Sequence, residues 1–398
     1  MTAPPLRLDD NQRRDWLRLS RSEGIGPRNF RVMLTRHGSA AAALAALPEL
    51  ARRTGRPIKA ADPAAVDREI DAATRLGVRY VALGEADYPL ALSVIDSVPP
   101  LIAVRGHVAA LAGPAAAVVG SRNASAAGLT LAERLARALG TAGYAVVSGL
   151  ARGIDAQAHR SSLDTGTVAV LAGGHDRIYP PEHGKLLAGL LERGAAISEM
   201  PMGWVPRGRD FPGRNRLVSG LSLGVVVVEA AMRSGSLITA RFALEQGREV
   251  FAVPGSPLDP RAAGTNDLIR QGATLCADPE HVLSVLAPLR EGPRPHLDDR
   301  APQTASLWDE AEVFSAPPPR PDRLLPLEAV MPTAPRASQP HETVLALLGS
   351  APVSVDDLVR ASELTARDVQ VALLELELSG RIERHGAQAV SLAPGRPV

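Results

Sequence analysis

The chain is poor in several residue types, and each shortage limits what the protein can be. One cysteine, Cys276, stands among 398 residues, which excludes a disulfide scaffold and a cysteine-rich zinc site. Aromatic residues make up only 3%, so alanine, valine and leucine must fill the cores of the two or three domains that this length predicts. The formal net charge is +1, so a nucleic-acid site must rest on a local patch.

Long apolar runs and several catalytic motifs are also missing. The longest apolar runs, such as 224–228, have the length of a strand, and the N-terminus lacks the apolar region of a secretory signal. We therefore expect a soluble cytoplasmic protein without a membrane span. The sequence contains no G-x-x-x-x-G-K-[ST], H-E-x-x-H or C-x-x-C pattern, and its histidines do not cluster at metal-ligand spacing. Neither P-loop ATP hydrolysis nor a bound metal or cofactor is expected.

Apolar strands alternate with helical stretches from about Arg79 to Leu289. Strands are predicted at 115–119, 144–148, 167–171, 195–198, 224–228 and 249–253. Near-continuous Val/Ala/Leu strands separated by helices indicate a mostly parallel sheet that is covered on both faces. This pattern predicts a doubly wound α/β domain whose site lies beyond the carboxyl ends of the strands.

Three other segments accompany this domain. We predict a helical domain at 1–77, the α/β domain at 78–290, a proline-rich linker at 291–340 and a winged helix at 341–398. The linker contains 11 prolines in 50 residues. The first 75 residues hold 14 Lys/Arg and 9 Asp/Glu, a charge of +5. Within them the turn Gly24-Ile25-Gly26-Pro27 fits either a helix-hairpin-helix contact to DNA or a plain helix end followed by a proline start, and both interpretations stay open.

The C-terminal segment combines helix-start signals with negative charge. Ser354 precedes Asp357 by three residues and Thr365 precedes Asp368 by three, as in capping boxes. Residues 340–398 contain 5 Arg and 8 Asp/Glu, a charge of −3. An acidic recognition helix is poorly suited to a DNA groove, so our hypothesis for the winged helix is a protein contact or a regulatory role.

An arginine cluster is the strongest functional signal. Arg207, Arg209, Arg214 and Arg216 lie within ten residues and surround Phe211. A guanidinium matches phosphate, and an aromatic face stacks on an unpaired base with a gain of about 1–3 kcal/mol per base. Few acids lie nearby, so a solvated, salt-bridged loop explains the cluster poorly. The cluster predicts a site for a phosphate-rich single strand.

Small residues end several of the predicted strands. Gly120-Ser121-Arg122 follows the first strand, Ser148-Gly149 ends the second, and Ser234-Gly235-Ser236 opens a later helix. Backbone N–H groups in such turns can hold a phosphate. Taken alone, the first segment is better explained as an ordinary βα turn, and the last fits a helix cap as well as a phosphate cradle. The first turn lacks the further glycines of a dinucleotide fingerprint.

Linked motifs occur in a fixed order between about residues 79 and 285. They include Gly120-Ser-Arg, Ser148-Gly-Leu-Ala-Arg-Gly-Ile-Asp, Ser198-Glu-Met-Pro, Phe211-Pro-Gly-Arg-Asn-Arg, Ser234-Gly-Ser-Leu-Ile-Thr-Ala, Ala252-Val-Pro-Gly and Gly264-Thr-Asn-Asp-Leu-Ile. In this order they resemble the DNA-processing protein A family (DprA, or Smf). The flanking segments look like the accessory domains of that family.

The resemblance implies an extended Rossmann fold that binds single-stranded DNA and is not an enzyme. It further implies a homodimer that protects incoming single strands in natural transformation (competence) and loads the recombinase RecA for homologous recombination. By position, the family's DNA contacts fall on Arg122, Phe211, Arg214 and Arg216, and Arg209 stands where a basic residue is usual. The full expected DNA-binding set is Gly120, Ser121, Arg122, Ser148, Gly149, Arg209, Phe211, Arg214, Asn215, Arg216, Ser234, Gly235 and Ser236.

Two other functions stay open. Related Rossmann-like folds include nucleotide phosphoribohydrolases of the lysine-decarboxylase-like type, which use a P-G-G-x-G-T loop with a glutamate. Here Glu229 followed by Ser234-Gly235-Ser236 is a loose echo, and the P-G-G-x-G-T loop is missing. A scaffold that holds RecA without DNA leaves the arginine cluster unexplained.

Overall fold

The computed structural model describes residues 6–54, 58–291, 340–349, 351–385 and 389–393. The proline-rich linker predicted at 291–340 therefore lies outside the described residues, apart from its first and last positions. The described residues form a helical N-terminal region, a central α/β region and a C-terminal winged helix, which confirms the predicted fold class.

The N-terminal region is helical. Its described helices are α1 (Asp10–Ser20), α2 (Pro27–His37), α3 (Ala40–Thr54) and α4 (Pro63–Arg75). The turn between α1 and α2 has the predicted form, because Gly24 adopts a φ of 75° and Gly26 directly precedes the proline that starts α2. The buried rings of Trp16 and Phe30 pack beside this turn, with their centroids 5.0 Å apart. Both interpretations of the turn, a contact to DNA and a plain helix end, stay open.

Nine strands form one sheet in the described part of the central region. They are β1 (Val78–Ala82), β2 (Leu101–Gly106), β3 (Ala115–Val119), β4 (Ala145–Ser148), β5 (Thr167–Val170), β6 (Ala195–Ser198), β7 (Gly224–Val227), β8 (Glu249–Ala252) and β9 (Thr274–Leu275). Their order is β1-β2-β6-β5-β4-β3-β7-β8-β9. The pairs from β6 to β9 are parallel, whereas β1 and β2 form an antiparallel edge.

Helices cover both faces of the sheet. They are α5 (Leu90–Ser93), α6 (Ala126–Thr141), α7 (Ile154–Ser161), α8 (Gly184–Leu190), α9 (Asp210–Gly220), α10 (Gly235–Glu245), α11 (Ala263–Arg270) and α12 (Pro279–Glu291). Because side chains alternate along a strand, Val118 and Val226 face the α6 and α12 side, whereas Val119 and Val227 face the α9 and α10 side. None of the described helices is long and apolar enough to cross a membrane.

The C-terminal region is a winged helix with the helices α13 (Pro340–Leu347), α14 (Val355–Ser362) and α15 (Ala366–Leu378) and the strands β10 (Val353–Ser354), β11 (Ile382–His385) and β12 (Ala389–Leu392). Ser354 and Thr365 are the N-caps of α14 and α15, and their hydroxyls accept from the N–H groups of Asp357 and Asp368. Both aspartates bond the capping hydroxyl rather than the cap backbone. This variant of the predicted capping box follows because aspartate is one methylene shorter than glutamate.

The winged helix packs against the amino-terminal end of α6. Ala126 joins an apolar cluster with Val344 of α13. Arg261 donates from Nη2 to Leu348 O over 2.6 Å and from Nη1 to Ala346 O over 3.2 Å. These carbonyls lie at the end of α13, where the helix dipole favours a cation. Arg261 therefore fastens the winged helix to the central region.

Replacing Arg261 with methionine is expected to release the winged helix, because both carbonyls lose their donor while the aliphatic bulk of the side chain is kept. Small-angle X-ray scattering checks this: the radius of gyration should increase. Arg270→Met is the matched control, since Arg270 is exposed and pairs only locally with Asp267. Identical scattering of Arg261→Met and the unaltered protein contradicts the fastening role.

Two buried histidines of the central region remain neutral at neutral pH. Thr167 donates its hydroxyl proton to Val146 O, so it accepts from His159 Nδ1 at 2.8 Å. His175 Nε2 donates to Ala103 O over 3.0 Å. Burial lowers the pKa of His159 to about 3 and that of His175 to about 4. His159 thus has a structural role.

Acidification is expected to destabilise the fold through these histidines. The unfolded chain binds protons at about pH 6.5 and the folded chain only near pH 3 to 4, so stability is present at pH 7 and is lost as pH falls. Each histidine lowers the free energy of unfolding by about 2 kcal/mol between pH 7 and pH 5, because the unfolded chain gains about 1.4 kcal/mol per pH unit once its histidine is protonated. His159→Asn keeps the donor to Thr167 and cannot titrate. Urea unfolding at both pH values should show a smaller loss in this variant; an equal loss contradicts a neutral His159.

Candidate nucleic-acid interface

The turns singled out in the sequence lie along one edge of the sheet. Segments 120–125, 149–153, 199–209 and 228–234 follow the carboxyl ends of β3, β4, β6 and β7. We call these four segments, with the start of α9 and the start of α10, the strand-end rim. The chain order reverses between the neighbouring strands β3 and β7, which is where open α/β sheets bind their ligands.

Internal hydrogen bonds shape the turn after β4. The N–H groups of Gly149 and Ala151 donate to Asp155 Oδ2 over 3.1 and 3.3 Å, and Leu150 O accepts from His183 Nδ1 over 2.9 Å. Leu150 has a φ of 57°, which is uncommon for a residue with a Cβ. Asp155 lies in the first turn of α7, and burial raises its pKa against the opposing effect of the nearby Arg214 charge.

The turn after β4 supports the turn after β3. Gly153 has a φ of 71°, and a Cβ there would lie 2.2 Å from Ser121 O. Ile154 N donates to the same carbonyl over 3.1 Å. Gly120 packs closely as well, since a Cβ there would lie 2.7 Å from Ile154 Cγ1. The position of Ser121 and Arg122 therefore depends on the 149–153 backbone.

Arg122 and Phe211 meet although they are far apart in sequence. The guanidinium carbon of exposed Arg122 lies 5.2 Å from the centroid of the half-buried Phe211 ring, a cation–π distance. The Tyr179 ring meets Phe211 edge-on with centroids 5.5 Å apart. Tyr179 is absent from the DNA-binding set expected from the sequence. The rim thus combines an arginine with two aromatic rings.

Arg207 and Arg209 leave their charge facing solvent. Arg207 lies over Trp204, with the guanidinium carbon 5.3 Å from the ring centroid. The side chain of Arg209 is 71% exposed, and its ion pair with Asp210 spans 4.0 Å. The buried Asp210 carboxylate instead accepts from Trp204 Nε1 and Arg207 N, at 2.9 and 2.8 Å. Trp204, which the site prediction omitted, helps hold this segment in place.

Arg214 and Arg216 point into the protein from α9. Arg214 is 5% exposed and donates from Nη1 to Gly149 O over 2.6 Å and to Val170 O. Arg216 pairs with Glu199 over 2.5 Å with 14% of its side chain exposed. The sequence predicted both as DNA contacts. Their observed bonds are internal, so direct contact stays a prediction that requires these bonds to change.

The other predicted residues are mostly engaged with the backbone. Ser148 is fully buried and its hydroxyl donates to Val118 O over 2.7 Å. Asn215 Nδ2 donates to Gly235 O over 3.1 Å, and Ser234 caps α10 by accepting from Ser236 N. The helix-cap interpretation of Ser234–Ser236 therefore describes the structure, while an added role toward phosphate is untested.

Glu229 occupies the crevice between β3 and β7. Its carboxylate accepts from Ser125 N over 2.9 Å and from Ser125 Oγ over 2.5 Å, at the N-terminus of α6. A Cβ on Gly128 would lie 2.6 Å from the Glu229 carboxyl carbon. Burial raises the pKa of Glu229. The helix N-terminus that in this fold type can receive a nucleotide phosphate is thus filled by a carboxylate of the chain itself.

Comparison with known proteins identifies related chains for all three regions. The family described as DNA recombination-mediator protein A matches residues 79–287. A DprA-like N-terminal HHH domain matches residues 10–72, and a DprA winged helix domain matches residues 328–388.

Individual relatives agree with these matches. Protein Smf of Escherichia coli K12 is 39% identical over 300 residues, which cover 74% of this chain and 72% of the relative. DNA processing protein DprA of Bacillus subtilis 168 is 40% identical over 213 residues, 53% of this chain and 72% of the relative. The X-ray structure of DprA from Streptococcus pneumoniae aligns with a TM-score of 0.53 at 38% identity, covering 56% of this chain and 77% of that one. The chain belongs to the DNA recombination-mediator protein A family.

Proposed function

We propose that this chain is a DNA-processing protein that binds single-stranded DNA along the strand-end rim. The observation that carries the proposal is the exposed Arg122 guanidinium over the Phe211 ring, with exposed Arg207 and Arg209 on the adjoining segment. Guanidiniums bind phosphates, and an aromatic face stacks on a base. The bases of a duplex are already stacked, so this arrangement favours an unpaired strand.

The expected DNA-binding set divides into two groups by exposure. We assign direct contacts to Gly120, Ser121, Arg122, Arg209 and Phe211, with Ser234-Gly235-Ser236 further along the path. We assign supporting roles to Ser148, Gly149, Arg214, Asn215 and Arg216, whose polar groups bond the protein itself. Bases stacked in this way are held with little sequence preference, since every base has a π-face.

The proposal includes a mediator role without catalytic turnover, in which a homodimer delivers the strand to the RecA recombinase. The family description as a recombination mediator supports this part. Analytical ultracentrifugation tests the dimer. RecA filament formation on coated single strands, with and without the protein, tests the loading.

The phosphoribohydrolase alternative is not favoured. That activity needs Glu229 to face a bound nucleotide, whereas the half-buried Glu229 carboxylate is bonded to Ser125. The family comparison points to DNA as well. Incubation with nucleoside monophosphates is the direct check, and free base whose release depends on Glu229 would restore the alternative.

A titration of a labelled oligothymidine strand and a duplex of equal length, by fluorescence anisotropy at two salt concentrations, tests the proposed binding. The single strand should bind more tightly, and its affinity should fall with salt because phosphate contacts release counterions. Arg137→Ala is a matched control on α6, since Arg137 is exposed, pairs with Glu133 and lies off the rim. Equal affinity for both DNAs, or tighter binding of the duplex, contradicts the proposal.

A further inference from the structure

We infer that Arg214 is a positioning residue that acts on DNA through Arg122 and makes no phosphate contact of its own. The inference rests on the proposed function and specifies how this site works. The arginines of the cluster differ in exposure. Arg207 and Arg209 are exposed, whereas Arg214 is buried beneath the turn after β4.

The guanidinium of Arg214 is packed against the Gly149 backbone. A Cβ built on Gly149 would lie 2.2 Å from Arg214 Nη1 and 2.5 Å from its guanidinium carbon. Nη1 donates to Gly149 O and to Val170 O, so one nitrogen joins the ends of β4 and β5. A phosphate could reach this group only by displacing the turn that covers it.

Three side chains, those of Arg214, Asp155 and His183, hold the turn after β4 by hydrogen bonds to its backbone. Gly149 O bonds Arg214, Leu150 O bonds His183, and the N–H groups of Gly149 and Ala151 bond Asp155. These bonds fix the Leu150 φ of 57°, a conformation with an intrinsic cost. Without the cation, Gly149 O and Val170 O would be buried with fewer donors, which favours a rearranged turn.

The turn after β4 in turn positions the backbone of Arg122. Ile154 N bonds Ser121 O over 3.1 Å, and Gly153 lies so close to Ser121 O and Arg122 O that no Cβ fits between them. A shift of the 149–153 backbone therefore moves the peptide that carries the Arg122 side chain away from Phe211. The chain of contacts runs from Arg214 through Gly149 and Gly153 to Arg122.

A double-mutant cycle with Arg122→Ala distinguishes positioning from contact. Arg214→Met should weaken single-strand binding by about three- to tenfold, a fraction of the loss from Arg122→Ala, and should add almost nothing in the Arg122→Ala background. The salt slope of the double variant should equal that of Arg122→Ala. Additive losses with a further fall of about 0.7 in the slope would mean that Arg214 binds a phosphate itself, and would overturn the inference.

Two further measurements keep the test independent of folding and of DNA. Gly149→Ala keeps the positive charge of Arg214 but displaces its guanidinium by steric contact. It should therefore weaken single-strand binding as much as Arg214→Met does, and the two changes together should weaken binding no further. Hydrogen exchange of the free Arg214→Met protein should rise at 120–123 and 149–154 while α12 keeps its protection. Unchanged exchange at both turns overturns the inference even if the protein binds no single strand, whereas failure of wild-type binding with raised exchange refutes only the proposed function.

Discussion

Replacing Arg122 with alanine is expected to weaken single-stranded DNA binding by about 10- to 100-fold. The exposed guanidinium lies at the end of β3, where one charge-assisted contact to phosphate is worth about 1.5–3 kcal/mol. Loss of one phosphate contact also reduces the salt slope of log affinity by about 0.7. Anisotropy titration at several salt concentrations measures both quantities.

Arg122→Lys separates charge from geometry in the same experiment. Lysine keeps the charge and hence the salt slope, but it loses the planar fork and most of the stacking on Phe211, so an intermediate affinity is expected. Arg137→Ala should bind like the unaltered protein because its side chain lies away from the rim. An Arg122→Ala protein with unaltered affinity at low salt would remove Arg122 from the site.

Replacing Phe211 with alanine should weaken binding by about 5- to 150-fold without changing the salt slope. The half-buried ring offers a face for one base, and such stacking is worth about 1–3 kcal/mol. The ring also contacts two neighbours: its centroid lies 5.2 Å from the guanidinium carbon of Arg122 and 5.5 Å from the ring centroid of Tyr179. Titration against oligothymidine measures the affinity.

Phe211→Tyr is the control that keeps the ring, and it should bind within about threefold of the unaltered protein because tyrosine presents a similar π-face. Thermal unfolding of Phe211→Ala shows whether the fold survives the change. A reduced salt slope in Phe211→Ala would contradict a stacking role, because it would mean that the ring acts mainly by placing phosphate contacts.

The parallel strands could be predicted from sequence because their chemistry is local. Runs such as 115–119 and 195–198 consist mainly of buried apolar residues, and the structure has strands at these same residues. Strand β1 was missed because Arg79 interrupts its short apolar run, whereas β2 was missed although 101–104 form an unbroken apolar run. Strand β9 has two residues, too few for any periodicity.

The arginine cluster was located correctly in the sequence, but its orientation could not be read from spacing. The segment contains Pro212 and Gly213, which obscure the start of α9. Once the helix is known, Asp210, Arg214, Leu217 and Val218 share its buried face, and Arg214 turns inward with them. The contact of Arg122 with Phe211 depends on sheet order, which brings distant turns to one edge.

The partner of Glu229, a half-buried carboxylate, could not be read from the sequence either. Glu229 was the candidate glutamate of the phosphoribohydrolase alternative, and the rise in its pKa alone would support a functional acid. Its bonds to Ser125 show instead that it caps α6 from another strand. Sequence cannot reveal this partner, because the pairing exists only through the adjacency of β3 and β7.

Hydrogen exchange of the full chain with and without a saturating oligothymidine strand tests most directly where the DNA lies. We predict protection at 120–123, 149–154 and 207–211, the segments that surround Arg122 and Phe211. Protection confined to the Gly24–Pro27 turn or to the winged helix, with these three segments unaffected, would contradict it.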